Sequence, residues 1–435
     1  MTKWLKFGAV PLLSVSLLAA CGGSDGENGG SSEGVESETT SETIGSGEIE
    51  LVFWEFGNTG YDKLIEEYVE ENPDISINLQ NSDMNDMHDN LFTSISADTG
   101  APDIALVEEA QIERYRTAED SFNNLYDLGA GDVQEDFLDW VWHNGENADG
   151  DFVFGLPTDI GPTVMFYRTD VFEEAGFDSS PEAVSELIPT WDAYEEVALE
   201  IYEETGKLMT DAGELIYNAR RDQASEQYFN TDEELIMDDH PEIREAYDYT
   251  ADFFDQDLAG DIPLWTPEWF AGMDDGSYAT MLAPAWMQGV IKDNSPEEGI
   301  WSITTMPEGA GNWGGSFLTI PSETEHAEEA YDFISWLTAP EQQLKSFQDY
   351  GLFPSTPAVY EMPEFIDYED PYFGGIPTAQ VFSEAAQQVI PVYKGRNYYA
   401  VDDVMKEAID NVSAGDDRDE EWEASLDTID RILAR

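Results

Sequence analysis

The sequence predicts an α/β fold divided into two domains. From residue 49 onward, short apolar runs alternate with amphipathic stretches, the pattern of strands joined by helices around a largely parallel sheet. The 435 residues are 41% hydrophobic and 12% aromatic, enough to fill large cores, and a chain this long divides most readily into two of them. The first 48 residues show neither feature and obey different rules.

They begin as an export signal. Lys3 and Lys6 give a basic start, residues 7–18 an apolar run interrupted by Pro11, and Ala19-Ala20 the small residues a signal peptidase requires. The run is too short to span a bilayer, so residues 1–20 are expected to be removed. Cys21, the single cysteine, follows directly, and no internal disulfide is possible. Residues 22–48 are dominated by Gly, Ser, Glu, Thr and Asp, with Val35 and Ile44 as the larger aliphatics. Such a composition cannot offset its own ordering entropy. Residues 21–48 are therefore expected to form a flexible acidic linker spanning roughly 30 Å.

The body opens with a βαβ unit: a strand over 49–53, an amphipathic helix over 61–71 stopped by Asn72-Pro73, and a strand over 75–79. A helix over 87–97 and a strand over 104–107 follow. Ligand sites in such sheets lie beyond the carboxyl ends of the strands, here Trp54-Glu55-Phe56-Gly57-Asn58 and Glu108-Glu109. Further strands are expected over 152–157 and 163–167, helices over 191–205, 241–255 and 267–273, and strands over 278–282, 301–305 and 316–320. From residue 327 the pattern is mainly helical, ending in 401–412 and 420–433. No repeat of fixed period is present.

Charge narrows the partners. The 94 acidic and 18 basic residues give a net charge of −76, which excludes nucleic acid, since phosphate neutralisation needs basic patches. The acids are spread evenly, the surface expected of a protein exported into a saline medium that screens its self-repulsion. Cofactor motifs fail on chemistry. Gly309-Ala310-Gly311-Asn312-Trp313-Gly314 fits G-x-G-x-x-G, yet a strand-like segment follows it where a helix N-terminus is needed. Asn147, Asp149 and Asp151 imitate a calcium loop, but Phe152 stands where glycine is required and Thr158 where a bidentate glutamate is. His88, His143, His240 and His326 lie far apart without ligand spacing, so no metal site is expected.

Aromatic residues do stand out beside acids and amides: Trp54 with Glu55 and Asn58, Trp286 after Ala283-Pro284, and Trp313 beside Asn312 and Gly314-Gly315. A sugar offers apolar C–H faces to indoles and hydroxyls to carboxylates and amides. Core packing is the competing reading for Trp286 and Trp313, and the favoured one for Trp140, Trp142, Trp301, Trp336 and Trp422. Paired carboxylates for glycoside hydrolysis are uninformative in a chain this acidic.

An ordered set of segments carries a family resemblance. It runs from Leu64 to Asn72-Pro73-Asp74, from Ser94 to Pro102-Asp103-Ile104, through Gly155-Leu156-Pro157 with Tyr167, and Asp170-Val171-Phe172-Glu173-Glu174-Ala175-Gly176. Pro189-Thr190-Trp191-Asp192, Ala279-Thr280-Met281 with Trp286, Gly314-Gly315-Ser316-Phe317, and Ala330 to Glu341 complete it. In this order, over residues 49–433, they resemble the extracellular solute-binding lipoproteins of bacterial ABC sugar importers, the group of the maltose- and cellobiose-binding proteins.

The resemblance implies the type II two-lobed periplasmic-binding-protein fold, hinged between α/β lobes. Lobe I would hold 49–157 and 316–355, and a helix-rich lobe II 158–315 and 356–435, with Gly161, Gly314 and Gly315 at the hinge. Sugar contacts would fall on Trp54, Glu55, Asn58, Glu108, Asp159, Trp286 and Trp313; Tyr228 and Arg396 lie outside the motifs. Residues 17–21 resemble a lipobox, making Cys21 the lipidation site. The implied protein is a monomeric, non-catalytic receptor without cofactor, lipid-anchored on the extracellular face of the cytoplasmic membrane. It would deliver a neutral di- or oligosaccharide to ABC permease subunits. A secreted glycoside hydrolase is the alternative.

Overall fold

The computed structural model describes residues 39–147, 149–237 and 240–434. The expected signal peptide, Cys21 and most of the linker lie outside the described residues. The linker expectation is corrected at its end, because Thr40–Gly45 forms strand β1. It pairs antiparallel with the strand that follows the first helix, Thr40 opposite Asn81 and Gly45 opposite Ser76. Only Ile44 packs on the core. The segment is held by backbone pairing to a sheet edge that would otherwise be unpaired, a gain its polar side chains do not reveal.

The opening βαβ unit forms as expected. β2 (Ile49–Phe56), α1 (Tyr61–Glu71) and β3 (Ile75–Ser82) place β2 and β3 in parallel register. Asp83 caps α2 (Met84–Ala97) by accepting the Asn85 backbone N–H. β4 (Ile104–Glu108) then joins β2 in parallel and is buried along its whole length. Ile104 and Leu106 face one core with Leu51, Phe53 and Ile77, whereas Ala105 and Val107 face a second core with Met87, Leu91 and Ile95 of α2. A parallel strand covered on both faces reads as the continuous apolar run seen in the sequence.

Beyond β4 the structure departs from expectation. Two separate strands over 152–157 and 163–167 are replaced by one 14-residue strand, β5 (Gly155–Arg168), buried throughout. Pro157 and Pro162, which read as interruptions, sit at register shifts where a missing N–H is tolerated. β5 pairs over its first half with β8 (Asn312–Thr319) and β9 (Phe353–Pro354), and over its second half with β6 (Thr280–Pro284) and β7 (Trp301–Thr304). The sheet runs β1-β3-β2-β4-β8-β5-β6, with β7 and β9 also on β5. Only β3-β2-β4 is parallel; every pairing of β5 and β8 is antiparallel. The expectation of a largely parallel sheet is thus corrected: hydrophobic patterning reports a strand's burial, not its direction.

The helices Trp191–Thr205 and Pro241–Asp255 match expectation, and the expected helix over 267–273 extends to Pro267–Asp275. The helix Gly213–Gln223 lies between them. It packs with Pro241–Asp255, Tyr398–Ser413 and Arg418–Leu433 around Tyr217, Tyr228, Met405 and Trp422. Inside this bundle Arg221 is fully buried between two acids. Its guanidinium holds Asp222 bidentately at 2.9 and 3.1 Å, donates to Asn218 Oδ1 at 2.9 Å on the other side, and pairs there with Asp402. Tyr228 donates to Asp402 at 2.7 Å, and Lys406 lies 3.1 Å from its other oxygen. These cations hold the Asp402 carboxyl well below the usual range despite its burial.

Arg221→Met is expected to lower the unfolding free energy by about 3–5 kcal/mol, since it strands two buried carboxylates. Urea unfolding of the variant checks this; a loss under about 1 kcal/mol would show that the pair is dispensable.

Candidate functional site

The carboxyl ends of β2 and β4, the β5–β8 crossing and the loop before Tyr398–Ser413 converge on one region. At the crossing, β5 and β8 approach so closely that a side chain on Gly161 would place its Cβ 2.0 Å from the Trp313 carbonyl oxygen. Gly315 adopts φ +120°, and its Cβ would meet the Asp159 carbonyl at 2.8 Å. Gly314, between them and Trp313, also has positive φ. Asn312 ties the crossing together: Oδ1 accepts the Gly161 N–H at 2.8 Å, and Nδ2 donates to Glu109 Oε2 at 2.7 Å.

The expected acids are placed here but are occupied. Glu55 is buried and accepts from Thr59 Oγ1 at 2.6 Å and Asn81 Nδ2 at 3.0 Å, fixing the loop over 57–60. Burial pushes its carboxyl up to about 7. Glu108 caps α3 (Glu109–Tyr115) by accepting the Ala110 N–H, and the Tyr399 hydroxyl bonds the same carboxylate. Its own N–H donates to Nε2 of buried His88, whose Nδ1 must then carry the proton toward the Met84 carbonyl. Burial lowers that imidazole to about 4, so His88 is a neutral core histidine. Asp159 is buried against Thr158 Oγ1 at 2.6 Å and is raised to about 6 by desolvation.

Glu109, one residue past the expected Glu108, is the acid that spans the region. It accepts from Asn144 at 2.6 Å as well as from Asn312, and burial raises it to about 7. With Trp140, Asp222, Gln227, Asn312 and Lys394 it lines a cavity of about 10 Å³, room for no more than one water. Lys394 donates to Gln227 Oε1 at 3.1 Å and lies 3.9 Å from Asp222. Glu109 belongs to the Glu108-Glu109 strand end that the sequence marks, but its partners, like those of Lys394, come from distant segments that the sequence does not reveal. Tyr228 is a core residue bonded to Asp402 and Tyr217, and Arg396 pairs with Glu233.

A second, open cavity of about 470 Å³ lies beside the end of β2, lined by Glu55, Asn58, Thr59, Asn81 and Tyr350 with residues of β1. Asn58 is exposed and donates to Asp293 at 3.1 Å. The expected indoles are half-buried. Trp286 donates to the Trp313 carbonyl at 3.3 Å, and their rings meet edge-to-face at 5.6 Å. Trp54 packs on the same core, with an indole N–H that finds no partner among the described residues.

Known proteins resemble this chain along most of its length. Residues 63–372 match the family model described as bacterial extracellular solute-binding protein. An arabinooligosaccharide-binding protein of Halalkalibacterium halodurans is 29% identical over 347 residues, 75% of this chain and 76% of that protein. An arabinooligosaccharide-binding protein of Bacillus subtilis is 26% identical over 390 residues, covering 84% and 87%. A crystal structure of an extracellular solute-binding protein of family 1 superposes with TM-score 0.79 at 30% identity, covering 88% of this chain and 99% of that one.

Stability should depend on the buried acids. Glu55, Glu109 and Asp211 are raised to about 7 and Asp159 to about 6, all by burial. Each holds a proton in the folded chain that the unfolded chain has released, so its contribution is full below about pH 4 and lost as pH climbs through 6 to 7. His88 acts oppositely, only below about 6.5. The melting temperature is therefore expected to fall from pH 6 to pH 8, and less steeply in Glu109→Gln. Thermal unfolding of both proteins across this range checks it; a flat or rising profile contradicts the buried-acid assignment.

Proposed function

This chain belongs to the bacterial extracellular solute-binding proteins, and from that premise we propose that it captures a neutral di- or oligosaccharide and delivers it to the permease of an ABC importer. The observation that carries the sugar reading is the composition of the convergent region. Indoles of Trp54, Trp286 and Trp313 sit beside amides of Asn58 and Asn312, surfaces suited to sugar C–H faces and hydroxyls. Neutrality follows from charge: Lys394, the cation lining the inner cavity, is already matched by Asp222 and Glu109. The names of the relatives support the same substrate class, two of them being arabinooligosaccharide-binding and a third lactose-binding.

The lobes we assign are 49–157 with 316–355, and 158–315 with 356–435, hinged at Gly161, Gly314 and Gly315. Hydrogen bonds from Tyr399 to Glu108, Asn58 to Asp293 and Asn312 to Glu109 then run between lobes. Since the inner cavity holds at most one water, those contacts part to admit sugar and re-form around it. Trp54, Asn58, Trp286 and Trp313 would touch the ligand, while Glu55, Glu108 and Asp159 hold their loops. Cys21 would carry the lipid, anchoring a monomer to the outer face of the cell membrane, with the acidic surface adapted to salt.

A thermal-shift screen against neutral sugars, with the sugar recovered and checked for cleavage, tests the receptor reading. A rise of several degrees with intact arabino- or galacto-oligosaccharide is expected; cleaved sugar, or no shift with any sugar, overturns it. The same melts in rising sodium chloride should shift upward if the surface charge is screened, and a salt-independent melt would contradict the salt-adapted reading.

A further inference from the structure

Trp265 precedes the helix Pro267–Asp275 and is the most exposed of the large apolar side chains among the described residues, at 50%. Its backbone lies at φ +65°, a left-handed conformation that a bulky L-residue adopts only when its surroundings dictate it. Those surroundings are specific. Thr266 fixes the turn on both sides, donating to the Pro263 carbonyl at 2.9 Å and accepting the Trp269 N–H at 3.3 Å. The indole is braced by Trp269 at 5.1 Å and Phe270 at 6.4 Å. It stacks on Trp286 at 5.8 Å with 26° between the planes.

That stacking changes the reading of Trp286. One face of Trp286 is covered by Trp265, its N–H is spent on the Trp313 carbonyl, and its edge meets Trp313. The three indoles form a series from the β5–β8 crossing outward, with half-exposed Trp265 at its outer end. A half-exposed indole alone is unremarkable. One held in a strained turn, rigidly braced, at the end of an aromatic series is a preorganised stacking surface.

We propose that Trp265 is the outer sugar-stacking platform of this site, one ring beyond Trp286 and Trp313, so that the ligand is a trisaccharide or longer. The inference rests on the sugar-receptor reading above and deepens it. Calorimetric titration of the full chain and of Trp265→Ala with arabinobiose through arabinopentaose, and with the matching galacto-oligosaccharides, separates the two. The unmodified chain should bind three or more units more tightly than two. Trp265→Ala should lose roughly 3- to 10-fold in affinity for the longer sugars, with the disaccharide changed less than two-fold. Trp265→Gly, which relieves the backbone conformation, should show the same length-selective loss with no loss of melting temperature. Equal losses at every length, no loss at any length, or unchanged binding with lost uptake in cells would overturn the platform, the last by making Trp265 a contact for the permease. Failure of the unmodified chain to bind either series overturns the receptor reading and the platform together.

Discussion

The antiparallel pairing of β5 with β8 is the constraint on which the rest of the molecule depends. β5 hydrogen-bonds to β8 and β9 with its first half and to β6 and β7 with its second, so one wholly buried strand belongs to two hydrogen-bonded neighbourhoods. Two prolines fall at its register shifts, and a glycine admits the opposing carbonyl at a distance no side chain tolerates. Asn312 locks it to Glu109 at the end of β4, which links the crossing directly to the proposed ligand region.

Charge is managed by the same economy. In a chain with 18 basic residues, Arg221, Lys394 and Lys406 gather around Asp222, Asp402 and Glu214 next to the crossing. Buried Glu55, Asp159 and Asp211 have no cation beside them, and they and Glu109, next to Lys394, are held toward the protonated form by burial. A region with its charges matched or suppressed presents hydroxyl-compatible amides and indole faces rather than a net field, which suits an uncharged ligand.

Local features were legible in the sequence and long-range ones were not. α1, the helices Trp191–Thr205 and Pro241–Asp255, and the parallel trio β3-β2-β4 follow from periodicity and from stop signals such as Asn72-Pro73. β1 escaped because its stability comes from backbone pairing along β3. The continuity of β5 escaped because Pro157 and Pro162 look like breaks until a bulged partner is present. Trp54, Glu55, Asn58 and Glu108 fall at or just past strand ends, where the α/β rule looks for a site, whereas Asp159 lies inside β5. Sequence could not say that Glu55 and Glu108 are consumed as loop and helix caps, nor that Lys394, Tyr399 and Trp265 join the region marked by Glu108-Glu109, since their partners lie up to hundreds of residues away.

If sugar enters by rotation about the β5–β8 crossing, joining the two sides covalently should block it. The Tyr393 hydroxyl lies 3.5 Å from Glu113 Oε2 of α3, so Glu113→Cys and Tyr393→Cys, in a chain carrying Cys21→Ser, can be bridged by a short cleavable thiol cross-linker. Sugar binding should be present before bridging, absent while the bridge is closed, and restored when the linker is cut. A bridged protein that binds sugar as tightly as the unbridged one would contradict the account.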